Sequence, residues 1–119
     1  MTAESTPTVT SSASVKTERP GRYGKQLASH MGRKVPFSWD EDSQRGDGAF
    51  SDGAVTATLT ARDGVLDLEL TAPADQVERF EDVLGRHLVR FGAREGLECA
   101  WRRSDSSPGT TQRSSDYED

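Results

Sequence analysis

His30 and His87 are the only imidazoles in the chain, and each lies beside apolar residues at helical spacing. Leu27 and Met31 flank the first, and Leu84 and Phe91 bracket the second. If the two helices run side by side, the rings converge. Neutral imidazoles that converge can bind a metal or an iron-containing cofactor, with Asp40, Glu41 or Asp42 as candidate oxygen ligands. Their spacing matches no recognised ligand motif. The plainer role is to cap the core by hydrogen-bonding a carbonyl or an acid.

The basic residues form the second candidate group. Arg22, Lys25, Ser29 and Arg33 share one helical face, and Arg79, Arg86 and Arg90 share another. Such faces can recognise an anionic ligand, an acidic protein or nucleic acid, or can simply be solvated. Cys99 alternates with Leu97 and Trp101 and so points into the core, where a thiol is inert. Gly46-Asp47-Gly48 is a lone turn signal, and neither a phosphate-cradling loop nor a nucleophile elbow is present. The residues therefore point away from an enzyme. A histidine-lined pocket is the one catalytic alternative.

Two helices must position these groups. Pro20 opens the first, which runs to about Gly32 with Tyr23, Leu27 and Met31 along its buried stripe. The second is predicted from about Ala74 to Phe91, with Val77, Phe80, Leu84, Leu88 and Phe91 on one face. Its acids gather at the start and its arginines at the end, which complements the helix dipole. Arg22, Tyr23, Leu27, His30, Met31 and Arg33 recur at the same spacing as Arg79, Phe80, Leu84, His87, Leu88 and Arg90. Each helix also leads into an alternating stretch ending in tryptophan, Val35–Trp39 and Leu97–Trp101. These matches predict two related strand-helix-strand units.

Between the units lies a hairpin. Val55, Ala57, Leu59 and Ala61 alternate with threonines, Asp63-Gly64 turns the chain, and Leu66, Leu68 and Leu70 alternate with acids. A two-residue turn sets Ala61 opposite Leu66, Leu59 opposite Leu68 and Ala57 opposite Leu70. Upstream, Asp52-Gly53 sets Phe50 against Val55, but the strand entering that turn is weakened by Gly46 and Gly48. The predicted fold is an α+β two-layer sandwich in the order β-α-β-β-β-β-α-β, with pseudo-duplicated halves. Its sheet is mainly antiparallel, with both helices on one face.

The chain has 119 residues, 15 Lys+Arg, 20 Asp+Glu and a formal charge of −5. Residues 1–12 and 104–119 carry few apolar groups and are expected to be disordered tails, the second acidic. A single domain over 13–103 holds all but one of the basic residues and all but five of the acids, so it is near neutral. That balance argues against nucleic acid. One cysteine excludes a disulfide framework and a multi-cysteine zinc site. No run approaches the roughly 18 apolar residues of a membrane-spanning helix. Met1-Thr2-Ala3-Glu4 does not resemble a secretory signal, so a cytoplasmic protein is expected.

The stretch Thr17–His30, the segment Phe50-Ser-Asp-Gly53, the run Gly85-Arg-His-Leu-Val-Arg-Phe91, and Arg94-Glu95 with Trp101 together resemble the bacterial domain-of-unknown-function 2218 family. The resemblance spans roughly 13–102 and departs from the family pattern at Gly46-Asp47-Gly48, where relatives have a firmer strand. It implies no established activity. Similar domains occur fused to, or encoded beside, siderophore-interacting ferric reductases. The resemblance thus implies a non-enzymatic accessory or binding domain in iron or siderophore handling. The implied partners are an anionic ligand or such a reductase, and the implied cofactor, if any, is iron. The alternative is a protein-interaction module docking through its basic helical face.

Overall fold

The computed structural model describes residues 7–117. Thr8–Lys16 (β1) leads into a helix over Pro20–Met31 (α1), then Phe37–Asp40 (β2), Arg45–Phe50 (β3), Val55–Arg62 (β4) and Val65–Pro73 (β5). Val77–Phe91 (α2) follows, then three short strands, Glu98–Ala100 (β6), Arg102–Arg103 (β7) and Thr111–Arg113 (β8). Six strands form one antiparallel sheet in the order β2-β3-β4-β5-β1-β7, while β6 and β8 pair separately. Both helices pack on the same face, as the α+β reading requires.

The β4–β5 register is the one the alternation dictates, with Ala61 opposite Leu66, Leu59 opposite Leu68 and Ala57 opposite Leu70. Slipping by one residue would send every leucine to the solvent face. Val15, Val55, Leu59, Leu66 and Leu70 are fully buried beneath Leu27, Leu84 and Leu88 of the helices. The other face is polar, crossed by Ser14–Asp67 (2.7 Å), Thr58–Asp47 (3.0 Å) and an Arg62–Asp67 ion pair.

β3 is a full strand, despite the two glycines that were expected to weaken it. Cross-strand pairing sets Phe37 opposite Gly48 and Trp39 opposite Gly46. A Cβ at Gly48 would clash with the Cγ–Cδ2–Cε2 edge of the Phe37 ring, and one at Gly46 would lie 2.9 Å from Trp39 Cε3. The aromatic rings of β2 thus fill the space that β3 leaves empty. Trp39 also packs on Gly24 of α1, where a Cβ would lie 2.6 Å from the indole. A Gly48→Ala variant should therefore lose about 1–3 kcal/mol in urea unfolding, because the Phe37 ring must leave its place. An unchanged midpoint would show that this packing is loose.

The tails differ most from expectation. Thr8–Ser12 form half of β1, with Val9 opposite Ala72 and Ser11 opposite Leu70. The long β5 has backbone groups to satisfy, and a polar segment can satisfy them without an apolar surplus. At the other end, Leu97–Trp101 is not one strand, since β6 pairs with β8 and β7 with β1. The segment from Thr110 to Ser114 is therefore ordered against the domain, with Gln112 and Ser114 buried. The remainder of the two tails, 1–6 and 118–119, lies outside the described residues. α2 starts at Val77, later than expected; ahead of it the Gln76 amide closes a turn on the Pro73 carbonyl and the Ala74 amide donates to the Pro7 carbonyl.

Candidate functional site

The matched stripes bring α1 and α2 side by side, and the imidazoles meet in the seam between them. The His30 and His87 ring centroids are 4.7 Å apart with planes tilted by 42°, and the Phe91 ring stands edge-on to His30 at 5.6 Å. His87 Nδ1 lies 2.6 Å from the Val83 carbonyl. A carbonyl only accepts, so Nδ1 carries a proton and Nε2 is the nitrogen left for other work. Burial, then the charges of His87, Arg33 and Lys34, lowers the His30 pKa, so its ring is neutral at neutral pH.

The acids proposed to complete an iron site do not reach the imidazoles. Asp40 accepts from Ser43 Oγ at 2.8 Å and from the Asp42 amide at 3.3 Å, and Glu41 pairs with Lys25. Among the described residues no group of three or more His, Cys, Asp or Glu is placed to hold a metal. Two imidazoles fall short of the three or four protein ligands of a resident zinc centre and of the two-histidine, one-carboxylate set of a non-haem iron site. A metal held here would have to bring its other ligands with it.

Around the imidazoles lies a groove of about 460 Å³. Met31, Val35, Phe50, Phe80 and Val83 form its floor, and Arg33, Lys34, Arg79 and Arg86 stand around it with no acid in the lining. The Phe50 and Phe80 ring centroids lie 4.9 Å apart with planes tilted by 43°, and the Arg79 guanidinium sits 5.6 Å from the Phe80 ring centroid. Arg86 is steadied by Asp82 one turn earlier, at 3.4 Å. Of the six cations singled out from the sequence, Arg33, Arg79 and Arg86 share this groove. Arg22 and Arg90 line a different cleft with Arg19 and Arg94, and Lys25 stands apart with Glu41. The sequence grouped these cations by helix, one face on each, whereas the packing of α1 against α2 regroups them across the helices into two sites.

Sequence reasoning missed Lys34 as a groove residue, and it missed Glu81. Glu81 is fully buried on α2. Arg103 clasps its carboxylate with two bonds of 2.9 Å, Ser11 Oγ donates at 2.6 Å, and Thr110 donates from its amide and hydroxyl at 3.1 and 2.8 Å. The signal was its place on the apolar stripe, one turn after Val77 and three residues before Leu84. Cys99 is fully buried as expected, and burial, then the Glu81 charge, pushes its thiol pKa up and leaves it unreactive.

These features define a class of protein: a small α+β domain with a cationic, histidine-lined groove along its helix pair. The chain belongs to the family described as an uncharacterized protein conserved in bacteria, domain of unknown function 2218, which it matches over residues 12–102. It is similar to PA4090 of Pseudomonas aeruginosa, whose NMR structure superposes with a TM-score of 0.62. The two share 30% identity over 78% of this chain and 94% of that one. No curated protein matches the sequence. The family match stops before Thr110–Ser114, the segment that reaches Glu81 from its far side. Among the described residues no helix is long and apolar enough to cross a membrane.

Proposed function

We propose that the domain is a non-enzymatic binding module for an organic anion with an aromatic body, and that ferric siderophores of the catecholate type are its ligand class. The observation that carries the reading is the groove itself: four cations and two imidazoles over a floor of phenylalanine and aliphatic side chains, with no carboxylate in the lining. Anionic oxygens gain charge-assisted bonds from the arginines, while the rings of the ligand gain by leaving water. Phenolate oxygens are also acceptors for an imidazole N–H. A ferric chelate brings its own ligands, which suits a site that offers only two. The lining holds no serine, threonine, cysteine or acid to act as nucleophile or to orient a histidine, which favours holding a ligand over converting it. In this reading a siderophore-interacting reductase is the partner that draws iron from the chelate.

Titrating the full chain with 2,3-dihydroxybenzoate and with its gallium tris-chelate, a diamagnetic stand-in for iron, tests this by NMR. The chelate should give saturable shifts of the His30 and His87 ring resonances. An Arg33→Glu/Arg79→Glu variant should bind at least about tenfold more weakly, since each lost charge-assisted bond is worth roughly 1.5–3 kcal/mol. Absence of saturation at millimolar chelate, or equal binding by a folded variant, defeats the proposal.

A further inference from the structure

The second cleft does not depend on that reading. We infer that the cleft between the entry to α1 and the exit of α2 is an anion site of its own, and that its ligand is a small phosphate-type polyanion of the pyrophosphate class. Its volume is about 620 Å³, and Arg19, Arg22, Arg90 and Arg94 all line it. None of the four has a carboxylate within ion-pair distance among the described residues. Lys16, Arg33, Lys34, Arg79 and Arg102 share that state, but this cleft alone among those described gathers four such groups. Four guanidiniums gathered around one cleft repel one another, and a multiply charged anion relieves that repulsion.

The walls are fixed by contacts that leave the arginines available. Thr17 Oγ1 donates to the Glu95 carboxylate at 2.7–2.8 Å, and the Glu18 amide donates to it at 3.2 Å. This clasp brings the segment before α1 against the turn after α2. It also occupies Glu95, which leaves Glu18 as the one carboxylate in the lining without a hydrogen-bond partner. Tyr23, buried, and Phe91, half-buried, supply the cleft's aromatic side. Four positive groups against two negative ones call for a ligand with at least two charges. The planar guanidinium fork matches the paired oxygens of phosphate, and a pyrophosphate offers two such groups to arginines from both helices.

The experiment titrates the full chain with inorganic phosphate, pyrophosphate and citrate at constant ionic strength, following arginine Nε–Hε resonances. Pyrophosphate should saturate Arg19, Arg22, Arg90 and Arg94, with citrate and phosphate at least tenfold weaker. The Arg22→Gln/Arg94→Gln variant should bind pyrophosphate at least tenfold more weakly, with its urea midpoint unchanged because both side chains are exposed. The Arg33→Glu/Arg79→Glu variant should bind pyrophosphate like the wild type, which separates this cleft from the groove. Shifts that rise without saturation, that spread equally to Arg102, or that favour citrate overturn the assignment, as does undiminished binding by the Arg22/Arg94 variant.

Discussion

A Glu81→Ala variant is expected to lose about 3–5 kcal/mol, the cost typical of removing one member of a buried ion pair. Against the roughly 5–15 kcal/mol of an ordinary domain, that is a large share of the total, and at the lower end of that range it leaves a measurable fraction unfolded without denaturant. The magnitude follows from what remains. Arg103 keeps its charge with only about a tenth of its side chain exposed, and Ser11 and the Thr110 amide lose their acceptor. An apolar Glu81→Leu/Arg103→Met pair should recover much of the loss, because the uncompensated charge is then gone. The pH dependence gives a second reading. Burial alone would raise the Glu81 pKa, but the bonds from Arg103, Ser11 and Thr110 outweigh it and hold it below the ordinary range. A depressed folded-state pKa gives stability that is present above the unfolded glutamate value, about 4.3, and is lost as pH falls through the folded one. Glu81→Gln should therefore flatten the decline of the urea midpoint below about pH 4. A decline as steep as the wild type's would show that other carboxylates govern acid unfolding.

The parts of this fold that were legible are those where burial imposes a period. The β4–β5 pairing could be written residue by residue because leucines and alanines alternate with threonines and acids on both sides of Asp63-Gly64. The meeting of His30 with His87 was legible for the same reason: each sits at the same place on a helix whose apolar stripe must face one sheet. Reading failed where one residue's role is supplied by a partner on another element. Gly46 and Gly48 break a strand until Trp39 and Phe37 fill the space above them. Glu81 contradicts its stripe until Arg103 and Thr110 arrive from the carboxyl side. Helical spacing groups the arginines by helix, Arg22 with Arg33 and Arg79 with Arg90. Only the position of α2 against α1 regroups them, placing Arg33 with Arg79 in the groove and Arg22 with Arg90 in the cleft.

Ending the chain at Ser104 tests whether the carboxyl-terminal segment is part of the domain or an attachment to it. The segment gives Glu81 two of its bonds, through Thr110. Gln112 Oε1 accepts from the Trp101 indole at 2.8 Å, and Ser114 Oγ donates to the Val89 carbonyl at 2.5 Å while accepting from the Leu97 amide at 3.0 Å. At about 1 kcal/mol net for each neutral bond, and with the apolar surface of Trp101 and Leu97 exposed as well, the truncated chain should be less stable by at least about 3 kcal/mol. Trp101 is 4% exposed in the full chain, so its emission should shift to the red while Trp39, at the far edge of the sheet, serves as the internal reference. Gly85→Ala probes the same contact without a deletion. The Gln112 side chain occupies the space a Cβ would need, so the substitution should reproduce part of the Trp101 shift. The His30 and His87 resonances should stay in place in both variants, since their groove takes no residue from this segment. A truncated chain with the full-length midpoint and unshifted emission would mean that β8 covers a surface already stable without it.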